Sequence, residues 1–181
     1  NNYAFNNSGM AGAAGIGVSA SIDVILNSNI VLNNSNYGIF IDRVRTYLIN
    51  NTANRNEYGI IVWSSNNSLI NNTVSYKRAS RIYLGQGSSG VGNKTLINNY
   101  LFSNNEGIRV FKNSNNSIKD NKMVNNSYGI LIESSSNILL DNNTAFNGYN
   151  GIHLLDSNNT LIKNNLLSNL IYLTIILILF I

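Results

Sequence analysis

The chain has no cysteine and no proline, and only 11% of its residues are charged. Without cysteine there is no disulfide framework, no thiolate metal site and no thiol nucleophile. Without proline there is no proline-rich linker. The scarcity of charge, set against 44% apolar residues, argues against a highly charged disordered chain. Histidine and tryptophan occur once each and methionine twice, so residues able to carry chemistry are few. One residue type is in large excess: 38 of the 181 residues are asparagine. Asparagine is a poor helix former and an ordinary strand avoids it. Here it is interleaved with Ile, Leu and Val at fixed spacing, which makes a repeat the first hypothesis. The net charge of +4 and pI near 9.4 mildly favour anionic partners such as an acidic polysaccharide or a cell wall, against a plain solvated surface.

Two columns appear when the sequence is cut into lines. In the first, glycine leads an alternating apolar unit at Gly38-Ile39-Phe40-Ile41, Gly59-Ile60-Ile61-Val62, Gly107-Ile108-Arg109-Val110, Gly129-Ile130-Leu131-Ile132 and Gly151-Ile152-His153-Leu154. Arg81-Ile82-Tyr83-Leu84 fits the same slot with arginine in place of glycine, and the steps are 21, 22, 26, 22 and 22 residues. The second column is asparagine at 29, 51, 72, 99, 121, 143 and 164, with steps of 22, 21, 27, 22, 22 and 21. The long step in both columns has one source, the glycine-rich insert between Gly85 and Gly92. A period near 22 fits one coil of a parallel β-helix, with short strands separated by turns. The period of two within each unit sends Ile and Val inward and the residue between them outward. Coils stacked about 4.8 Å apart place equivalent residues over one another, so asparagine amides can bond up and down a column. The expected fold is all-β: a right-handed parallel β-helix, a solenoid of about seven coils, over residues 1–169.

The units "YGIFI", "YGIIV", "YGILI" and "NGIHL", followed by "SNN" or similar and then "LINN" or "LIKNN", resemble the right-handed parallel β-helix repeat of the pectin-lyase-like superfamily, especially its NosD-type members. The resemblance covers roughly Gly15 to Asn169. It implies a periplasmic, cell-surface or extracellular setting and a glycan as partner. It is specific for fold and weak for activity, because the superfamily holds lyases, hydrolases, epimerases, binding modules and spacers. The paired-aspartate motif of polygalacturonases and the Asp-Pro-His-Asp motif of alginate epimerases are missing. The NosD resemblance also implies copper-enzyme maturation. With one histidine, two methionines and no cysteine, no metal site and no cofactor is expected.

The insert matches G-x-G-x-x-G at Gly85–Gly90, and Gly87–Thr95 falls one residue from a phosphate-binding G-x-x-x-x-G-K-T loop. Both motifs need a following helix. A ladder unit follows instead, so the insert is expected to be a loop leaving the solenoid, and neither a nucleotide nor a nucleic acid is an expected partner. The apolar tail, 170–181, is too short for a bilayer span of about 20 residues. A capping strand or helix, a partial membrane anchor giving membrane contact, and a truncation artefact all remain open. The chain opens mid-coil at Asn2-Tyr3-Ala4-Phe5, so flanking coils of a longer parent chain are expected.

Candidate site residues lie on the outward positions of the glycine-led strand. One outward column reads Phe40, Ile61, Tyr83, Arg109, Leu131, His153, and the next reads Asp42, Trp63, Gly85, Phe111, Glu133, Leu155. Trp63, Tyr83 and Phe111, from three successive coils, form a candidate staggered aromatic strip for stacking on sugars, with Arg side chains at hand for carboxylates. Arg55, Lys77, Arg78 and Arg81 form a candidate anion subsite on two neighbouring coils. The best catalytic set is Glu133, His153, Asp156 and Arg109, with Glu133 and His153 as an acid–base pair. The leading expectation is a non-enzymatic carbohydrate-binding or adhesive module. A polysaccharide lyase, hydrolase or epimerase and a passive spacer are the alternatives.

Overall fold

A computed structural model describes residues 2–8, 13–77, 79, 81–85 and 92–178, with the side chains of 76, 77 and 172–178 left aside. The chain winds as a parallel β-solenoid with three strands per coil. Among the described residues there is no helix. One sheet holds seven strands, Val24–Asn27, Thr46–Ile49, Ser68–Ile70, Thr95–Ile97, Ser117–Lys119, Leu139–Asp141 and Leu161–Lys163. A second column runs through Ile30–Leu32, Thr52–Asn54, Thr73–Lys77, Tyr100–Asn104 and Lys122–Val124. The glycine-led column runs through Tyr37–Asp42, Tyr58–Val62, Ile82–Leu84, Glu106–Phe111 and Tyr128–Glu133. The long strand Thr144–Leu155 passes through both of these columns and joins them into one sheet of 14 strands. Leu166–Ile178 pairs in parallel along that strand.

The register is that of the repeat. Ile39, Ile60, Ile82, Ile108, Ile130 and Ile152 are consecutive partners, and each is fully buried. Val31, Ala53, Val74, Leu101, Met123 and Ala145 line the second inner wall, and Leu48, Leu69, Leu96, Ile118 and Leu140 the third. Glycine leads its strand because the corner has no room for a side chain. A Cβ on Gly129 would lie 2.5 Å from the carbonyl oxygen of Gly151, and one on Gly107 equally close to that of Gly129.

The asparagine ladder runs Asn2, Asn29, Asn51, Asn72, Asn99, Asn121, Asn143 and Asn165, each Nδ2 donating to the next Oδ1 over 2.8–3.0 Å. The last rung is therefore Asn165, where the sequence reading placed Asn164. The reason is a division of labour inside the Asn-Asn doublets. The residue before each rung (Ser28, Asn50, Asn71, Asn98, Asp120, Asn142, Asn164) takes a left-handed conformation with φ of 53–58°. It makes the turn, and its neighbour makes the stack; asparagine suits both tasks, the first because its short amide tolerates that region. The rungs from Asn51 to Asn143 are saturated. Asn121 Oδ1 accepts from the backbone N and Nδ2 of Asn99, and Asn121 Nδ2 donates to Asn143 Oδ1 and to the carbonyl of Leu96.

A second ladder, which sequence reasoning missed, occupies the corner before the glycines. Asn7 bonds Asn34, Asn34 bonds Asn56, and the backbone of Asn104 bonds Asn126. It is interrupted where Lys77 takes the register position of Asn104. At the third corner Lys94 stands where neighbouring coils have Asn67 and Asn116. Its side chain is 1% exposed and Nζ donates to Asn113 Oδ1 at 2.8 Å. Burial pulls its amine down from 10.5 to about 8.

Candidate functional site

The outward columns form as the repeat requires: Phe40, Ile61, Tyr83, Arg109, Leu131 and His153 are successive register partners. Beside them Phe111, Glu133 and Leu155 follow one another. At the corner of the same sheet a third outward set contains Tyr37, Tyr58, Glu106 and Tyr128. With Trp63, strand alternation thus gathers seven aromatic rings and three ion pairs on one face of the glycine-led column.

Gly85 shapes the aromatic strip. A Cβ there would lie 2.3 Å from Cε1 of Tyr83, so the Tyr83 ring leans over Gly85. Gly85 stands between Trp63 and Phe111 in the outward column, and the missing side chain lets Tyr83 fill that step of the staggered strip. Trp63 itself contacts Phe40 edge-on at 4.8 Å, and Phe40 stacks on Tyr37 at 5.2 Å. Beyond Tyr83 the strip continues through guanidiniums. Arg81 lies over Tyr58 at 5.4 Å and over Tyr83 at 5.3 Å; Arg109 lies over Tyr83 at 6.0 Å and over Phe111 at 5.5 Å. Burial, partly opposed by Arg109 and Arg81, raises the Tyr83 phenol above its ordinary range, so its hydroxyl stays protonated at neutral pH.

Both guanidiniums are paired. Arg81 Nη1 is 2.9 Å from Glu106 Oε2, close in distance although off the hydrogen-bond line. Arg109 Nη1 reaches Glu106 Oε1 at 3.5 Å and Nη2 reaches Glu133 Oε2 at 2.7 Å. Glu106, with a side chain 8% exposed, is the shared counterion of both arginines, and sequence reasoning did not find it. Its signal was weak. It precedes Gly107 as Tyr37 precedes Gly38, so its outward placement was readable, but its pairing with Arg109 on its own strand and with Arg81 on the preceding coil was not.

The candidate catalytic set is only partly assembled. Arg109 and Glu133 meet. His153 lies against the Tyr128 ring at 5.6 Å, and both its ring nitrogens are buried without a hydrogen-bond partner. Glu133 and His153 therefore share no hydrogen bond. Asp156 is exposed in a left-handed turn with φ of 48°. Of the candidate anion subsite, Arg55 is exposed in a turn with φ of 56°, while Arg81 turns inward to the aromatic strip. Arg78 and the Lys77 side chain lie outside the described residues, as does 86–91 of the insert. Beyond the insert, Thr95–Ile97 is a strand of the seven-stranded sheet, which removes the helix both glycine motifs need. Among the described residues no three of His, Cys, Asp and Glu gather as metal ligands.

Comparison with solved structures finds the same solenoid in the Azotobacter vinelandii mannuronan C-5 epimerase AlgE4 A-module, with TM-score 0.76 and 16% identity over 87% of this chain and 52% of that one. The periplasmic alginate epimerase AlgG superposes with TM-score 0.60 and 19% identity, over 87% of this chain and 46% of that one. The chain spans about half the length of either protein. At these identities the likeness is one of fold. No curated protein matches the sequence. A family described as "Periplasmic copper-binding protein (NosD)" matches residues 1–91 and 46–178, and on that coverage the chain belongs to the NosD family of parallel β-helix proteins.

Proposed function

We propose that the chain is a non-enzymatic glycan-binding β-helix module, working in the periplasm or at the cell surface. The observation that carries this reading is the Tyr83 ring laid over Gly85 between Trp63 and Phe111, with guanidiniums over the neighbouring rings. Coils repeat about every 4.8 Å, comparable to the length of one sugar unit. A glycan lying along the solenoid axis could therefore meet successive rings, whose faces take up sugar C–H groups. The family description and the name of AlgG both refer to the periplasm, which supports that compartment for this chain.

Copper, named in the family description, finds no matching donor set among the described residues. Cysteine is missing, the one histidine has both nitrogens buried, and Met123 is 1% exposed inside the core.

The test uses the single tryptophan. Acrylamide should quench Trp63 in the free protein, and at least one polysaccharide from a panel of neutral and acidic glycans should protect it. If Trp63 is shielded without ligand, or no glycan alters its emission, the strip is packing and the reading fails. The enzymatic alternative is checked on the same panel: release of reducing or unsaturated ends, or uronate inversion, that is lost in Glu133→Gln would establish it.

A further inference from the structure

We propose that the glycan recognised by the Trp63–Tyr83–Phe111 face is neutral rather than a polyuronate; this rests on the glycan-binding reading above and narrows its ligand class. The argument begins with charge. The two guanidiniums over the strip, Arg81 and Arg109, face the two carboxylates Glu106 and Glu133 across 2.7–3.5 Å, so the four groups sum to zero. Without Glu106 and Glu133 the same arginines would make a uronate clamp. With them, a uronate carboxylate must either evict a glutamate or crowd against it.

Eviction is unfavourable at Arg81. Its side chain is 14% exposed and that of Glu106 8%, so displacing the pair leaves a buried carboxylate without its counterion. At Arg109 the Nη2 edge is held by Glu133 and the Nη1 edge faces Glu106, so an incoming carboxylate meets like charge on both sides. The faces of both guanidiniums are occupied as well, Arg81 by Tyr58 and Tyr83, Arg109 by Tyr83 and Phe111. Lys112, its ammonium 5.3 Å from the Phe111 ring, adds one cation at an exposed turn position, where salt screens it.

A sugar hydroxyl fits this arrangement where a carboxylate does not. It donates and accepts at once, so it can bridge a guanidinium edge and a neighbouring carboxylate oxygen without separating them. A carboxylate only accepts. The Tyr83 hydroxyl adds one more group of the same dual kind, at the centre of the strip.

The test titrates the full 181-residue chain through Trp63 emission with hexasaccharides of matched length. The neutral probes are cellohexaose, mannohexaose and N-acetylchitohexaose; the acidic ones are hexamannuronate and hexagalacturonate. At least one neutral hexamer should bind about tenfold or more tighter than either uronate, because it leaves all three ion pairs intact. Raising sodium chloride to about 0.3 M should change its affinity by less than about twofold, as expected of a contact without net charge transfer. Glu133→Gln releases one edge of Arg109 and should raise uronate affinity by about fivefold or more, in a salt-dependent way. Uronate binding in the wild type within tenfold of the best neutral hexamer, or no uronate gain in Glu133→Gln, overturns the neutral assignment while the glycan-binding reading stands. Binding by neither class overturns both.

Discussion

Replacing Asn121 with leucine tests the central load-sharing device of the fold. The substitution removes Oδ1, which accepts from the backbone N and the Nδ2 of Asn99, both at 2.9 Å. It also removes the donor to the Leu96 carbonyl. Asn99 and Asn121 are each 1% exposed, so water does not readily replace the lost partners. Two orphaned buried donors at about 1–3 kcal/mol each, offset by the leucine's gain in apolar burial of about 1.5–3 kcal/mol, leave a net destabilisation of about 1–3 kcal/mol. For a chain of this size that lowers the melting temperature by about 2–4 °C per kcal/mol. The control is Asn98→Gly. Asn98 is exposed, has φ of 54° and lies beside a rung without being one. Glycine takes that conformation freely, so the change should stay within about 0.5 kcal/mol. Thermal unfolding ranks the two variants, and hydrogen exchange at the Asn99 amide localises the effect, since coils couple chiefly to their neighbours. If Asn121→Leu melts with Asn98→Gly and the Asn99 amide stays protected, the ladder is decoration and the reasoning fails.

Two further outcomes are expected. Lys94 binds its proton less readily folded than unfolded, so stability should be lowest below pH 8 and rise from about 8 toward 10.5. Lys94→Met should remove that slope and stabilise by up to about 3 kcal/mol at neutral pH, read by urea unfolding across pH; an unchanged slope would refute the assignment. Gly85→Ala forces the Tyr83 ring out of its step, since the new Cβ would sit 2.3 Å from Cε1. Because a ring can swing aside, stability should change by less than about 1 kcal/mol while glycan affinity falls by about tenfold; calorimetry showing undiminished affinity would separate the strip from binding.

The architecture was legible because the repeat fixes inner and outer positions by parity alone. The sequence alone places Ile39, Ile60, Ile82, Ile108, Ile130 and Ile152 in one column, and the insert before Gly92 leaves their order intact. The Asn-Asn doublets were less legible, since two identical neighbours carry out different tasks and only φ tells them apart; hence the one-residue displacement at Asn164 and Asn165. The site was legible as a face and not as a set of contacts. Register predicts that Arg109 and Leu131 are neighbours, but Glu133 reaches back diagonally to Arg109 and Glu106 is shared between two coils. Such choices depend on rotamers and on the gap at Gly85, which no periodicity encodes. His153, a natural acid–base candidate by composition, packs against Tyr128 instead.

The direction of the ladder carries a consequence for how the chain is built up. Asn29 donates through both its backbone N and its side chain to Asn51, Asn51 does so to Asn72, and Asn72 to Asn99. Every Oδ1 acceptor of the ladder lies one coil later than its donors, while the second hydrogen of each amide turns back to a carbonyl one coil earlier, as from Asn51 to Leu26 and from Asn72 to Leu48. A turn that has just been laid down therefore holds two unsatisfied donors until roughly another 22 residues have followed and closed over it. During synthesis the growing edge is always one coil behind the chain. It behaves as a moving front that each new asparagine seals and, through its own backbone N–H, reopens one step further on.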